Sequence, residues 1–417
     1  MMKTNRRKPS IRFRGFTDDW EQRKLSSIAE RVTRKNTELQ STLPLTISAQ
    51  YGLVDQVTYF NNRIASQNIS NYYLIKEGEF AYNKSSSDGH PFGAVKRLER
   101  YKMGVLSTLY VVFALKDAGV DSAFLATYYD TYNWHKQVSE RAAEGARNHG
   151  LLNISAEDFL DTNLMIPKNK SEQSLIGKTL YMIDHLITLH QRKYVKLLNV
   201  KKSMLEKMFP NNNRKVPEIR FKGFTDAWEQ RKLGDLSSSF EYGLNAAAKE
   251  YDGENKYIRI TDIDDDSREF VRTNLTSPDI DLSNAENYRL SEGDILFART
   301  GASVGKSYIY RVSDGLVYFA GFLIKARIKN IFNPEFVFQN TLKTDYGKFI
   351  KVTSMRSGQP GVNAQEYAQY EIMVPSKLEQ DKISSYLKKL DNLITLHQRK
   401  LEKLKNIKKS MLEKMFV

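Results

Sequence analysis

The chain has 417 residues, which is enough for two or three domains that each bury a core. Lys and Arg outnumber Asp and Glu by 64 to 49, and the formal charge of +15 favours a polyanionic partner unless it serves only solubility. The absence of cysteine excludes disulfides and thiolate metal sites, and no apolar stretch approaches the roughly 18 residues of a membrane span. We therefore expect a soluble protein of the reducing cytoplasm.

A 15-residue motif, called here the opening motif, stands at the start of each half of the chain. Residues 11–25, IRFRGFTDDWEQRKL, recur as 219–233, IRFKGFTDAWEQRKL, with 13 of 15 positions identical. Trp20 and Trp228 could stack on nucleic-acid bases. Their near-identical context in both copies favours a structural role instead, in which each packs the motif against a helix end.

Each opening motif is followed by a long segment that differs between the halves. Residues 26–163 and 234–371 share little identity, yet both contain short strand-like runs such as GVLSTLYVVFAL and LVYFAGFLIKARI. A helical stretch follows late in each, near Ser122 and after Pro334, where Asn-Pro is a helix-start signal. This shared order of strand and helix patterns predicts two α+β domains with equivalent folds and unlike surfaces. The predicted domains comprise residues 11–168 and 219–376.

A long helix is predicted at the end of each half, over residues 171–209 and 378–416. Residues 184–209 and 391–416 are identical at 21 of 26 positions. Apolar residues recur at alternating steps of four and three, which is the spacing of a coiled-coil seam. Because Lys and Arg cover most of the remaining surface, we expect the seams to pack on each other as a rod on the order of 50 Å long. The seam residues are Ile176, Leu180, Ile183, Ile187, His190, Tyr194 and Leu197, and Ile383, Leu387, Leu390, Ile394, His397, Leu401 and Leu404.

Two polar features stand out beside these helices. His190 and His397 occupy equivalent seam positions, where a polar residue fixes register in the way a buried Asn does. A metal site or proton relay is the alternative, but none of the six histidines has a paired-ligand spacing, so we expect no metal. Residues 210–218, which include PNNNRKVP, are predicted to link the halves.

Together these parts resemble the specificity subunit of type I restriction-modification systems. The resemblance rests on the opening motif, the GDILFARTGASVGK run at residues 293–306 and the LITLHQRK and KKSMLEKMF runs of the helices, and it covers essentially the whole chain. It implies two target recognition domains that each read half of a bipartite DNA site, and helices that pair antiparallel, with pseudo-twofold symmetry, and dock two methyltransferase subunits. It also implies that S-adenosylmethionine is used by the methyltransferase subunits. ATP and Mg are then used by restriction subunits, which have ATP-dependent translocase and endonuclease activity. This chain is expected to hold no cofactor.

Two short runs are similar to enzyme motifs but depart from them. Gly301 and Gly305 are separated by three residues, whereas a phosphate-binding Walker loop needs four. Residues 333–336, Asn-Pro-Glu-Phe, have Glu where the amino-methyltransferase motif has a second proline. We interpret the first run as a loop suited to DNA phosphate or as a plain hairpin turn, and the second as a helix start.

Polar loops of the two domains are the candidate DNA-reading surfaces, although each could equally be a solvated turn. Arg, Lys, Asn, Gln, Ser and Thr discriminate base edges in the major groove. In the first domain the candidates are Asn83, Lys84, Ser85, Ser86 and His90, with Arg141, Arg147 and Asn148. In the second domain they are Arg299, Thr300, Ser303 and Lys306, with Arg356, Ser357 and Gln359.

The sequence thus predicts a non-catalytic subunit of the α+β class, in which two tandem recognition domains are joined by paired long helices. Two alternatives remain open. A coiled-coil scaffold with two unlike protein-binding heads would bind DNA without sequence preference, and its binding would depend little on salt, whereas phosphate contacts make affinity fall steeply with salt. A self-sufficient nuclease or methyltransferase would need activity in the isolated chain, for which the sequence contains no motif.

Overall fold

The computed structural model describes residues 7–48, 51–62, 64–87, 89–142, 152–210, 214–355 and 359–417. The chain divides into two compact units. One comprises the residues up to 189 together with residues 400–417, and the other comprises residues 190–399. Each unit therefore contains one α+β domain and a part of both long helices.

The first unit is built around a four-stranded antiparallel sheet. Its elements in chain order are β1 (Glu21–Lys24), α1 (Leu25–Ile28), β2 (Ala29–Arg31), β3 (Leu45–Ser48), β4 (Gly52–Asp55), α2 (Gln56–Phe60), β5 (Tyr73–Lys76), β6 (Phe80–Asn83), β7 (Ala94–Arg97), β8 (Met103–Leu106), β9 (Val111–Leu115), α3 (Ser122–Tyr128), α4 (His135–Arg141), α5 (Ala156–Leu160), β10 (Asn163–Ile166) and the long helix α6 (Lys170–Lys207). The sheet order is β2-β9-β6-β7. Phe80 and Phe113 are cross-strand partners whose rings stack 5.2 Å apart, and Phe124 of α3 lies in the same core. Asp121 caps α3, because its side chain accepts hydrogen bonds from two backbone N–H groups of the first turn.

The second unit repeats this sheet with different strands. Its elements are β11 (Glu229–Lys232), α7 (Leu233–Leu236), β12 (Ser237–Tyr242), β13 (Ala248–Glu250), β14 (Lys256–Ile258), β15 (Thr276–Pro278), β16 (Ile295–Ala298), β17 (Ser307–Ile309), β18 (Val317–Phe319), β19 (Leu323–Ile328), α8 (Pro334–Asn340), α9 (Thr344–Thr353), α10 (Ala364–Ala368), β20 (Glu371–Val374) and the long helix α11 (Lys377–Lys414). The sheet order β12-β19-β16-β17 matches that of the first unit, which confirms the predicted equivalence of the two folds. The side chain of Asn333 caps α8 by accepting from the backbone N–H of Phe336, so the Asn-Pro run is a helix start.

The opening motif closes each domain at the point where the long helix begins. Its EQRK segment forms β1, which pairs antiparallel with β10, and the second copy forms β11, which pairs antiparallel with β20. Since β10 leads directly into α6 and β20 into α11, each opening motif pairs with the strand that immediately precedes a long helix.

Both tryptophans of the opening motifs are buried against the end of a long helix, as the sequence predicts. Trp20 is 1% exposed and lies edge-on to Phe416, with ring centroids 6.1 Å apart. Trp228 is 1% exposed and lies edge-on to Phe209 at the same separation. Stacking of either indole on a nucleic-acid base is therefore excluded in this fold.

A buried ion pair fixes each opening motif to the first turn of a helix. The Arg12 guanidinium donates to the two carboxylate oxygens of Glu172 at 2.5 and 2.7 Å, and Arg220 donates to Glu379 at 2.7 and 2.8 Å. The side-chain amide of Gln173 donates to the carbonyl oxygen of Pro167 at 2.8 Å. In the second unit, the equivalent Gln380 donates to the carbonyl oxygen of Pro375 at 2.9 Å. The identical Glu-Gln pair of both helices is thus a structural joint.

The long helices each have 38 residues and end two residues before the predicted bounds. The reason is that the residues after Lys207 and Lys414 leave the helix and enter a domain core, where Phe209 and Phe416 are 2% and 6% exposed. None of the described helices is long and apolar enough to cross a membrane.

The two helices run antiparallel, and this direction is visible inside the second unit alone. Lys201 of α6 pairs with Asp391 of α11 at 2.5 Å, and Nδ1 of His190 is 2.8 Å from Nδ1 of His397. The predicted register role of the histidines is consistent with this hydrogen bond. Among the described residues, no group of three or more His, Asp or Glu side chains is placed to hold a metal ion.

The predicted seam requires one correction. Ile176 and Leu180 belong to the core of the first domain, and Ile383 and Leu387 belong to that of the second, so the first turns of each seam cover a domain and not only the other helix. In α6 the reason is close contact with α3, since a Cβ on Gly177 would lie 2.6 Å from the backbone N of Phe124. Of the remaining seam residues, Leu390, Ile394 and Leu401 are buried, and Ile183, Ile187, His190, Tyr194, Leu197, His397 and Leu404 are partly buried.

Candidate nucleic-acid interface

Two polar loops of the second domain meet just beyond the end of β16. Arg299 follows this fully buried strand directly. Thr300 forms an antiparallel bridge with Gly361 of the other loop. The side-chain amide of Gln359 lies beside Gly301, 3.2 Å from the position that a Cβ would occupy there. The structure therefore brings together Arg299, Thr300 and Gln359, which the sequence predicted separately.

Arg299 is held between two exposed aromatic side chains. Its guanidinium carbon lies 5.2 Å from the ring centroid of Tyr242 and 6.0 Å from that of Phe322. These rings are 44% and 57% exposed, so they are surface groups and not part of a core. The Nε atom of Arg299 is buried and has no hydrogen-bond partner. Cation–π contact is the interaction that holds this side chain in place.

A cavity of about 530 Å³ opens next to this cluster. Arg299, Tyr242 and Phe322 line it together with polar side chains of the segments after β12 and after β14, among them Asn245 and Arg259. A cavity opening with aromatic walls, two arginines and a few polar groups suits a planar, polar ligand.

Lys306 and Ser303 have roles that the sequence did not predict. The Lys306 side chain is buried, its Nζ atom donates to the carbonyl oxygen of Ile263 at 3.0 Å, and it pairs with Asp265 at 2.6 Å. A phosphate contact would break this ion pair, so Lys306 is a structural cation in this fold. Ser303 is half-buried and closes the 3₁₀ turn that begins at Gly301.

The predicted loop of the first domain begins at Asn83, the last residue of β6. Its candidates Asn83, Lys84, Ser85, Ser86 and His90 are all partly buried. The Asn83 side chain accepts from the backbone N–H of Ser85 at 3.0 Å, and Nζ of Lys84 donates to the carbonyl oxygen of Ile154 at 3.1 Å. These contacts order the start of the loop and engage the Lys84 ammonium within the domain.

Arg141 is engaged inside the domain rather than presented to a ligand. Its guanidinium donates to the side-chain oxygen of Gln137 at 2.9 Å and to the carbonyl oxygen of Asp161 at 3.0 Å. These bonds tie the last turn of α4 to the end of α5. The candidates Arg147, Asn148, Arg356 and Ser357 lie outside the described residues.

The structure adds aromatic residues that the sequence reasoning missed. Tyr132, the most exposed aromatic of the first domain at 74%, lies edge-on to His135 at 5.2 Å. Burial, and to a smaller extent the charge of His90, lowers the pKa of His135. Neither spacing nor composition indicates these positions, because exposure of a tyrosine or phenylalanine depends on the tertiary fold.

An ionic network connects the first domain to both long helices. Lys408 of α11 pairs with Asp184 of α6 at 2.8 Å and with Asp130 of the domain at 2.9 Å, and Lys96 of β7 pairs with Asp130 at 2.6 Å. Burial opposes ionisation of Asp130, but the two lysines outweigh it and lower its pKa. Burial raises the pKa of Asp184, which Lys408 only partly offsets.

The second domain is connected to its helix pair in a related way. Asp391, which pairs with Lys201, also accepts a hydrogen bond from the amide of Gln339 at 2.9 Å. Gln339 donates to Glu335 as well, and Glu335 pairs with Arg311 at 2.9 Å. In each unit, polar side chains thus fix the orientation of a domain on the helices.

Comparison with known proteins assigns this architecture to a family. The family model of the type I restriction modification DNA specificity domain matches residues 17–199 and again residues 225–406. The chain belongs to the type I restriction-modification specificity family. The two matches coincide with the two halves seen in the sequence and in the fold.

One curated relative and one solved structure illustrate this membership. The chain is 26% identical over 217 residues to a putative type I restriction enzyme MjaX specificity subunit of Methanocaldococcus jannaschii. The match covers 51% of this chain and 50% of the relative, so the chain spans about half the length of the curated relative it matches. The crystal structure of a type I restriction-modification S subunit from M. genitalium is similar with a TM-score of 0.65, at 15% identity, over 98% of this chain and 99% of that one. This likeness shows the fold.

Proposed function

We propose that this chain is the DNA sequence-specificity subunit of a type I restriction-modification complex, in which each domain reads one half of an asymmetric bipartite target. The observation that carries the proposal is the double match to the DNA specificity domain, with both copies built on the same sheet order. The loops after the equivalent strands β6 and β16 differ completely in sequence. A shared fold that carries two different loop surfaces fits the recognition of two different half-sites.

In this proposal the paired helices set the gap between the half-sites. A helix of 38 residues is about 57 Å long at roughly 1.5 Å per residue, whereas one turn of DNA is about 34–36 Å. The helices therefore suit half-sites separated by somewhat more than one turn.

The helices also offer two equivalent surfaces for partner subunits. Leu186 and Leu189 are 40% and 39% exposed in the first unit, and the equivalent Leu393 and Leu396 are 43% and 45% exposed in the second. Each pair stands three residues apart on one helix face, and contiguous exposed apolar surface is typical of protein contact sites. We assign them to two methyltransferase subunits, which would supply S-adenosylmethionine chemistry, with ATP and Mg used by restriction subunits that join them. The chain itself would be non-catalytic.

Exchange of one variable segment tests this function. Residues 26–163 are replaced by the same segment of a relative with another target, and residues 234–371 are replaced in a matched second chimaera. Each chimaera is co-expressed with the methyltransferase subunit, and its methylated sites are mapped. We expect each exchange to change one half of the target and to leave the other half and the gap intact. A change of both halves by either exchange would contradict the assignment of one domain to one half-site.

A further inference from the structure

Arg299 differs from three other arginines of its domain. Arg259, Arg289 and Arg327 of the same domain each pair with a carboxylate at 2.8 to 3.2 Å. In the part of the chain that the structure describes, no carboxylate or carbonyl group accepts a hydrogen bond from the Arg299 side chain, and its Nε atom is buried without a partner. A cation that is partly desolvated and unpaired costs free energy in the free protein. Such a group is typical of a site that is completed by a ligand.

The backbone and one aromatic ring fix the direction of this side chain. The N–H of Arg299 donates to the carbonyl oxygen of Phe322 at 3.0 Å, and its own carbonyl oxygen accepts from Val362 at 2.9 Å. The hydroxyl of Tyr242 accepts a bond from the backbone N–H of Ala364 at 3.3 Å, which anchors the ring under the guanidinium. With Nε buried, the guanidinium can offer only its two terminal nitrogens, end-on, as a fork of donors.

A fork of donors held in one plane discriminates between bases. Guanine presents two acceptors, O6 and N7, side by side in the major groove, whereas adenine presents N7 next to an amino group that would oppose a second donor. A phosphate could also accept both bonds, but phosphate contacts do not require a fixed plane and carry no sequence information. The exposed ring of Phe322 beside the fork offers the apolar contact that a thymine methyl group takes.

Resting on the proposed function, we propose that Arg299 reads a guanine in the half-site of the second domain, with Tyr242 and Phe322 as positioning residues. The site is the mouth of the cavity next to the two loops that meet at Thr300 and Gly361. If Arg299 has this role, the half-site assigned to the second domain must contain a guanine.

The test maps methylated sites in cells that express the methyltransferase subunit with Arg299→Ala, Arg299→Lys or the wild-type chain. Arg289→Ala is the matched control, since Arg289 is a surface arginine of the same domain whose partner Glu286 is also exposed. We expect Arg299→Ala to reduce the preference for guanine at one position of one half-site by about 5- to 150-fold, because a bidentate contact is worth about 1–3 kcal/mol. Arg299→Lys should retain part of this preference, and the control should retain all of it. The other half-site should stay the same in every variant.

Several results would overturn the inference. One is that Arg299→Ala methylates the same motif to the same extent as the wild type. Another is that it methylates the same motif but less at every site, which would indicate a phosphate contact. Loss of co-purification with the methyltransferase subunit would indicate a protein-docking role. A wild-type motif without guanine in the second domain's half would refute the role of Arg299 but leave the proposed function intact, whereas absence of any methylation would refute the function itself. If Arg299→Ala does not fold, Arg299→Lys makes the test instead, and a guanine preference equal to that of the wild type would then overturn the inference.

Discussion

The ion pair between Arg12 and Glu172 predicts a large loss of stability when the guanidinium is removed. The Glu172 side chain is fully buried and receives two charge-assisted bonds from Arg12, at 2.5 and 2.7 Å. In Arg12→Met the carboxylate would stay buried without its partner, and breaking a buried pair in this way costs about 3–5 kcal/mol. For a unit of about 200 residues, each kcal/mol lowers the melting temperature by about 2–4 °C. We therefore expect the melting temperature of the first unit to fall by about 10 °C.

Calorimetric melting of the whole chain measures this effect. The double variant Arg12→Met/Glu172→Gln should recover most of the loss, since it leaves no unpaired buried charge. Arg220→Met removes the equivalent pair with Glu379 and should lower the transition of the second unit instead. A melting temperature of Arg12→Met within about 2 °C of the wild type would refute the reasoning, because it corresponds to less than roughly 1 kcal/mol. So would a double variant that is no more stable than the single one.

Three further outcomes are expected. Because the lysines around Asp130 hold its folded pKa below the unfolded value, its ionised form stabilises the fold above about pH 4, and this stabilisation is lost as the pH falls through the folded pKa. Asp130→Asn should therefore lower the free energy of unfolding by roughly 3 kcal/mol at pH 7 and by about 1 kcal/mol less at pH 3, since pH 3 lies only about one unit below the unfolded pKa. Asp184→Asn should cost less at pH 7, since the pKa of Asp184 is raised. Denaturant titrations at both pH values measure this, and a larger Asp130→Asn effect at pH 3 would contradict it. Seven residues inserted into both helices near His190 and His397 should lengthen the methylated gap by about 10 Å, or roughly three base pairs, with unchanged half-sites. Altered half-sites would show that the helices do more than set distance. Finally, affinity for target DNA should fall on the order of 1,000-fold between 50 and 200 mM salt if about six or more phosphates are contacted. Binding that is indifferent to salt would favour a protein scaffold.

The repeated parts of the fold could be predicted from the sequence because both copies obey the same constraint. Trp20 and Trp228 stand in nearly the same context, and each is buried against the end of a long helix. The seam of alternating steps also predicts the helices and their pairing. Their ends are less predictable, since Phe209 and Phe416 continue the apolar pattern while they already belong to a domain core.

The candidate site is less accessible to such reasoning because it depends on tertiary contacts. Lys306 lies in a run that suits DNA phosphate, but the fold places it beside Asp265, forty-one residues earlier, and neutralises it. Tyr242 ends β12 and Phe322 lies in the turn before β19, both distant in sequence from Arg299, so the aromatic pair around this arginine is visible only in the structure. The sequence could identify the loops but not which of their side chains remain unpaired.

The most direct measurement is a map of methylated adenines across the genome of cells that co-express this chain with the methyltransferase subunit. A single motif of two unlike half-sites with a fixed gap, which disappears when this chain is deleted, is the result that we predict. No methylation, or methylation that persists unchanged after deletion of the chain, would contradict the assignment of DNA specificity to it.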